Sequence, residues 1–212
     1  MLGRALIFDF DGLIVDSETP EYLCWKRVYE GQGQPLTAEE WVFCVGGAGH
    51  VDFAAMLDER LGKKLAWDEI HPGRIAYHQE LMKSQPVLPG VERLMKEGKA
   101  RGWRIGVASN SSFGWVDGGI KRYGLASYVE AIRSRDRVDN PKPHRDHYTT
   151  VVQDLECEAG NSIAFEDSAT GIAGAKAAGL YAVAVPNALT KLHDLSQADL
   201  ILESLEHFTL PD

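Results

Sequence analysis

The amino-acid sequence predicts an α/β fold, a Rossmann-like parallel sheet with helices on both faces and a small inserted α-helical domain. Two observations predict the sheet, since short continuous apolar runs recur along the chain and helix-like segments separate them. Right-handed helical crossovers join parallel strands and cover both faces of such a sheet. A third observation predicts the insert, because a long stretch after the first apolar run lacks a strand pattern.

The predicted strands alternate with helices along most of the chain. The first strand is the apolar run "RALIFD", which ends at Asp9 and meets an Asp-Gly turn. Four further apolar runs lie at 103–109, 129–134, 161–167 and 180–186. Helix-like segments lie near them at 90–102, 111–124 and 168–179. This alternation predicts a single sheet assembled from both ends of the chain.

The stretch from residue 17 to residue 85 breaks the alternation. It contains amphipathic segments such as "PEYLCWKRVYEGQG" and "VDFAAMLDERLG" and no convincing strand. Three tryptophans of this stretch, Trp25, Trp41 and Trp67, suit a compact helical core. We therefore expect a core domain of residues 1–16 and 86–212 and a helical domain of residues 17–85.

The composition argues against several classes of function. Of 212 residues, 44% are hydrophobic and 25% are charged, which is ordinary for a globular protein. The net charge of −9 argues against nucleic acid or an anionic membrane as the main partner. We recognise no export signal and no apolar run of membrane-spanning length. The three cysteines, Cys24, Cys44 and Cys157, form no Cys-x-x-Cys pattern, so we expect a reducing, cytoplasmic location. Nothing in the sequence requires a particular oligomeric state.

Polar side chains follow the predicted strands, at the edge where open parallel sheets bind ligands. Taken singly, each has an ordinary explanation as a turn residue, a helix cap or a surface charge. Taken together, several crowded carboxylates would repel one another unless a hard divalent cation such as Mg²⁺ were bound among them. With a hydroxyl and a lysine they suit phosphoryl transfer. The carboxylates are Asp9, Asp11, Glu166 and Asp167, the hydroxyl is that of Ser109, and the lysine is Lys142, which lies just before a probable helix.

Four segments carry a resemblance to a known family. In chain order they are "DFDGLIVDSE", "VASNS", "PKPHRD" and "FEDSATGIAGAKAAG". They resemble the four motifs of the haloacid dehalogenase superfamily of phosphohydrolases, and the match spans nearly the whole chain. The helical insert resembles the cap domain of the beta-phosphoglucomutase-like branch, so we call it the cap.

The resemblance implies a mechanism and a ligand set. Asp9 would attack phosphorus to form an aspartyl-phosphate, and Asp11 would act as general acid and then as general base. The cofactor Mg²⁺ would be held by the Asp9 side chain, the Asp11 backbone carbonyl and Asp167, with Glu166 nearby. Phosphate oxygens would be held by Ser109, Asn110 and Lys142.

Within the superfamily the resemblance favours a phosphatase that acts on a small phosphorylated metabolite, such as a sugar phosphate. Haloacid dehalogenases lack an acid at the position of Asp11, and phosphonate hydrolases carry a cap lysine that "GGAGHVD" does not offer. Three cap residues, Glu18, Glu21 and His50, are candidates for contacts with the leaving group. His50 is equally well explained as a loop or helix-start residue.

Two alternatives stay open from the sequence. A beta-phosphoglucomutase-type phosphomutase has a similar core, but Glu21 stands where mutases carry a cap histidine and His50 where they carry a phosphate-binding arginine. A glutamate would repel a second phosphate, and a neutral histidine would hold one less well than arginine. The other alternative is a non-catalytic phosphate-binding protein, against which the complete set of acids argues.

Overall fold

The computed structural model describes residues 3–45 and 51–211, and only the backbone of 43–45. All strand pairs are parallel, and the order across the sheet is β3-β2-β1-β4-β5-β6. Within the described ranges the strands are β1 (Ala5–Phe8), β2 (Arg104–Ala108), β3 (Ala131–Arg133), β4 (Ile163–Glu166), β5 (Tyr181–Ala184) and β6 (Leu200–Ile201). The first strand is therefore central, between β2 and β4.

The helices fall into two groups along the chain. Those of the cap are α1 (Glu18–Gly31), α2 (Ala38–Val45), α3 (Phe53–Leu61) and α4 (Trp67–Lys83). Those that alternate with strands are α5 (Val91–Ala100), α6 (Phe113–Arg122), α7 (Asp146–Asp154) and α8 (Ala169–Ala177). None of the helices in the described ranges has both the length and the apolar character needed to cross a membrane.

The central strand explains why the sheet is covered on both faces. Successive residues of a strand point to opposite faces, and all four residues of β1 are fully buried. Leu6 and Phe8 pack into the apolar cluster that includes α5 and α6, whereas Ala5 and Ile7 pack into the one that includes α7 and α8. The predicted α/β class, a parallel sheet with helices on both faces, is confirmed.

The cap helices share an aromatic cluster. Trp41 stacks on Phe53 with ring centroids 4.5 Å apart, and Trp25 lies 5.6 Å from the same ring. Two chain segments join the cap to the core, one between β1 and α1 and the other between α4 and α5. They are hydrogen-bonded to each other, because the Leu88 amide donates to the Ile14 carbonyl at 2.9 Å. We propose that residues 17–85 form a cap domain and that residues 1–16 and 86–212 form the core domain.

Candidate active site

The carboxyl ends of the central strands bring the predicted polar residues together. Asp9 directly follows β1, and Ser109 directly follows β2. Glu166 is the last residue of β4, and Asp167 comes next. The connection after β1 leads toward β2 on one side, whereas the connection after β4 leads toward β5 on the other side. This divergence opens a crevice at the carboxyl ends of β1 and β4.

Lys142 is the cation at the centre of this crevice. Its ammonium nitrogen donates to Asp9 Oδ1 and to Glu166 Oε1, both at 2.5 Å, and to the Ala108 carbonyl at 2.8 Å. Burial disfavours the ammonium, but the charges of Asp9 and Glu166 outweigh burial and raise the pKa of Lys142. The lysine is therefore a fixed positive charge beside Asp9.

Glu166 is fully buried and enclosed by donors. Besides Lys142, the Tyr148 hydroxyl donates to its Oε1, and Ser168 Oγ donates to its Oε2 at 3.3 Å. Burial raises the pKa of Tyr148, so this hydroxyl keeps its proton. A Cβ atom at Gly171 would overlap the Glu166 carboxylate, so glycine is required there. These contacts orient Glu166 toward the lysine.

Asp11 directly precedes the bend that the Asp-Gly turn predicts. Gly12 has a φ of 80°, a left-handed conformation that glycine adopts readily. At this bend, the Asp11 carboxylate accepts hydrogen bonds from several described side chains. Its donors are Ser17 Oγ and Ser111 Oγ at 2.6 Å, Trp115 Nε1 at 2.8 Å and Ser109 Oγ at 3.2 Å. The carboxylate is thus held between the core and the start of the cap.

The buried carboxylates fit a divalent cation. One oxygen each of Asp9, Glu166 and Asp167 lie within 4.8 Å of one another, and Asn187 donates to Asp167 at 2.8 Å. Burial raises the pKa values of Asp9 and Asp167 well above the usual range, with Lys142 opposing the shift in both. Three carboxylates and one ammonium leave two negative charges when all are ionised, which a divalent ion with oxygen ligands would neutralise.

Asn110 makes its side-chain hydrogen bonds to the backbone of Lys142. Its Oδ1 accepts from the Lys142 amide at 2.9 Å, and its Nδ2 donates to the Lys142 carbonyl at 3.3 Å. Both hydrogen bonds fix the segment that carries the lysine. Asn110 therefore positions Lys142 in this structure, and its contact with phosphate stays a prediction.

A cavity of about 890 Å³ lies between the core and the cap. On the core side it is lined by Asp9, Asp11 and Lys142. Glu18 and Glu21 from α1 line the cap side, together with residues of α4. This volume suits a small-molecule ligand.

Glu18 stands at the start of α1 and lines the cavity. Burial raises its pKa to about 7, and the negative charges of Asp11, Glu21 and Asp16 add to the shift. A carboxyl with this pKa changes its charge near neutral pH.

We expect a Glu18→Gln protein to be more stable than the wild type at pH 8.5, by on the order of 1–2 kcal/mol in chelator. Between its usual value near 4.5 and about 7, the unfolded chain ionises Glu18 and the folded chain does not. Wild-type stability therefore falls as pH rises through this window, and glutamine removes that loss. Urea unfolding at pH 5 and 8.5 tests this. A difference that is equal at both pH values would contradict it.

The other two cap candidates have different outcomes. Glu21 lines the cavity and accepts a hydrogen bond from Arg74 Nη1 at 2.7 Å, so its charge is paired. The sequence-based argument that it presents a bare negative charge is therefore incomplete. His50 lies outside the described residues.

Several residues of the site were not predicted from the sequence. Asn187 follows β5 by three residues, so the rule that polar residues after strands mark the site would have found it. Tyr148 and Trp115 lie on helices, and no sequence signal marks them. Ser17 and Ser111 lie within the matched motifs, and only the structure shows that they donate to Asp11.

Known proteins share this chain's sequence and fold. A model of the family described as haloacid dehalogenase-like hydrolase matches residues 6–185. YhcW of Bacillus subtilis (strain 168), which is named as a phosphatase, is 37% identical over 207 residues, covering 98% of this chain and 94% of that protein. The phosphorylated carbohydrates phosphatase of Thermotoga maritima is 26% identical over 205 residues, covering 95% of this chain and 91% of that protein.

A solved structure agrees with these relatives. The crystal structure of CbbY from Rhodobacter sphaeroides in complex with phosphate has a TM-score of 0.77 at 25% identity, covering 98% of this chain and 96% of that chain. The family match spans most of this chain, and relatives over nearly its whole length are named as phosphatases. The chain therefore belongs to the haloacid dehalogenase-like hydrolase family and is a phosphoric monoester hydrolase.

Proposed function

We propose that this chain is a Mg²⁺-dependent phosphatase that hydrolyses a small phosphomonoester, such as a sugar phosphate, through an aspartyl-phosphate at Asp9. The contact of Lys142 with Asp9 at the cavity carries the proposal, because it puts a fixed positive charge beside the attacking carboxylate. Phosphoryl transfer depends mainly on such positioning and charge neutralisation. The name of the Thermotoga maritima relative supports a phosphorylated carbohydrate as substrate.

The reaction has two steps. In the first, an oxygen of Asp9 attacks phosphorus, the bond from phosphorus to the leaving oxygen breaks, and Asp11 gives its proton to that oxygen. In the second, Asp11 takes a proton from the water that attacks the aspartyl-phosphate, and the Asp9 carboxylate is regenerated as phosphate leaves. Lys142 and Ser109 would hold phosphate oxygens in both steps.

The carboxylates around Asp9 would hold the metal. Asp9 and Asp167 would supply side-chain oxygens and Asp11 its backbone carbonyl, while Glu166 orients Lys142. When bound, Mg²⁺ supplies positive charge that offsets the negative charge of the phosphoryl group. The excess of buried carboxylates over ammonium groups in this crevice supports its presence.

Phosphate release from a panel of sugar phosphates, nucleotides and other small phosphomonoesters tests the proposal. We expect release with Mg²⁺, loss of release with excess chelator and recovery when Mg²⁺ is added back. The reason is that crowded carboxylates without a cation would repel the substrate phosphate. Equal release in chelator would contradict the metal dependence.

The same samples test the phosphomutase alternative. Interconversion of beta-glucose 1-phosphate and glucose 6-phosphate without net phosphate release would replace the phosphatase proposal. Absence of both activities, with no acyl-phosphate formed from phosphate and no beryllofluoride adduct at Asp9, would favour a phosphate-binding protein.

A further inference from the structure

The cap side of the cavity holds one arginine among the described residues, and it is fixed from two sides. Arg74 of α4 donates from Nη1 to Glu21 Oε1 of α1 at 2.7 Å. Its guanidinium carbon lies 4.7 Å from the ring centroid of Trp25. All three residues line the cavity. The arginine therefore faces the cavity but is engaged within the cap.

Glu21 accepts the hydrogen bond that holds Arg74 within the cap. The same Oε1 accepts from Trp25 Nε1 at 3.1 Å, and His78 Nε2 lies 3.6 Å from Oε2. The Glu21 side chain is 35% exposed and that of Arg74 is 16% exposed. Because the two charges are paired across α1 and α4, the positive charge of Arg74 is neutralised where a ligand would meet it.

The remaining charges near the cap side are mostly negative. Among the described residues that line it, Glu18 and Asp52 join Glu21, and Arg74 is the cation. Arg135 lines the cavity from the core and is exposed. A second phosphate on the cap side would therefore meet an excess of carboxylates.

We propose that Glu21 masks Arg74, so that the site takes phosphomonoesters whose other end is uncharged, and that Arg74 is a latent receptor for a second phosphate. This inference rests on the proposed phosphatase function and adds a substrate class to it. A guanidinium binds phosphate through two parallel hydrogen bonds. A phosphate that took Arg74 from Glu21 would leave that carboxylate without its charged partner, which is unfavourable.

The test is equilibrium binding of fructose 6-phosphate and fructose 1,6-bisphosphate, which differ by one phosphate. Binding is measured with Mg²⁺ in an Asp9→Asn background, so no turnover is needed. Glu21→Gln keeps the shape and an acceptor oxygen and removes the negative charge. We expect it to raise the preference for the bisphosphate by roughly tenfold, the size of one charge-assisted hydrogen bond.

Two double variants identify the cation. The gain should disappear in Glu21→Gln/Arg74→Gln and persist in Glu21→Gln/Arg135→Gln, since Arg135 also lines the cavity but has no contact with Glu21 among those described. Arg74→Gln alone, which leaves Glu21 uncompensated, should shift the preference toward the monophosphate. This single variant gives a second test should Glu21→Gln fold poorly.

The outcomes separate this inference from the proposed function. A preference that Glu21→Gln does not change, or a gain that survives Arg74→Gln, overturns the inference. Failure of the wild type to release phosphate from any substrate contradicts the proposed function instead. The preference for the bisphosphate over the monophosphate is measured without turnover, so it tests the inference whether or not the wild type releases phosphate.

Discussion

An Asp9→Asn protein should lose phosphate release by at least about 10⁴-fold and remain folded. The amide of asparagine is a poor nucleophile and does not form the acyl-phosphate, while its shape matches that of aspartate. Lys142 keeps its contacts with Glu166 and the Ala108 carbonyl in this variant. Steady-state phosphate release at saturating Mg²⁺ measures the loss, and circular dichroism checks the fold.

A matched control is Asp117→Asn on α6, which also replaces an aspartate by its amide. Asp117 pairs with Lys121 on the same helix and does not line the cavity. We expect wild-type turnover from it. Trapping after rapid mixing should show phosphorylated protein for the wild type and the control, and none for Asp9→Asn. Full turnover by the Asp9→Asn protein would contradict the aspartyl-phosphate mechanism.

The fold was predictable because most of the buried strands are long enough to be recognised in the sequence as continuous apolar runs. β1, β2, β4 and β5 have four or five residues each and appear as continuous apolar runs. β6 was missed, since its two residues, Leu200 and Ile201, are too short to make a pattern. The eight-residue α2 lies in the stretch that was predicted to be helical, but its bounds were not predicted. Short elements depend on tertiary contacts that one sequence does not reveal.

The site was predictable where its residues follow strands. Asp9, Ser109 and Asp167 could be placed at one edge of the sheet from the strand pattern alone. Residues on helices could not, because their contacts depend on how helices pack over the sheet. Trp115 and Asp11 are 104 residues apart in sequence, yet they share a hydrogen bond. The Glu21 and Arg74 pair joins two cap helices in the same way.

A Lys142→Met protein should be less stable by about 3–5 kcal/mol at pH 8 in chelator, and should also lose turnover. The substitution keeps roughly the side-chain length but removes the positive charge that pairs with Asp9 and with the fully buried Glu166. A buried carboxylate without a cation is strongly unfavourable when ionised. Because protonation relieves this cost, the deficit should shrink at pH 5. Urea unfolding at the two pH values measures it.

A double variant shows whether the loss comes from the uncompensated charge or from lost packing. In Lys142→Met/Glu166→Gln the most deeply buried carboxylate is neutral, so stability should return toward the wild-type value, with a coupling free energy of about 1–3 kcal/mol between the two sites. Turnover should not return, because the double variant still lacks the cation beside Asp9. Additive losses of stability would mean that the Lys142 side chain acts through packing alone. Recovery of stability without recovery of turnover would separate the compensation of Glu166 by this lysine from its proposed role in holding the phosphoryl group.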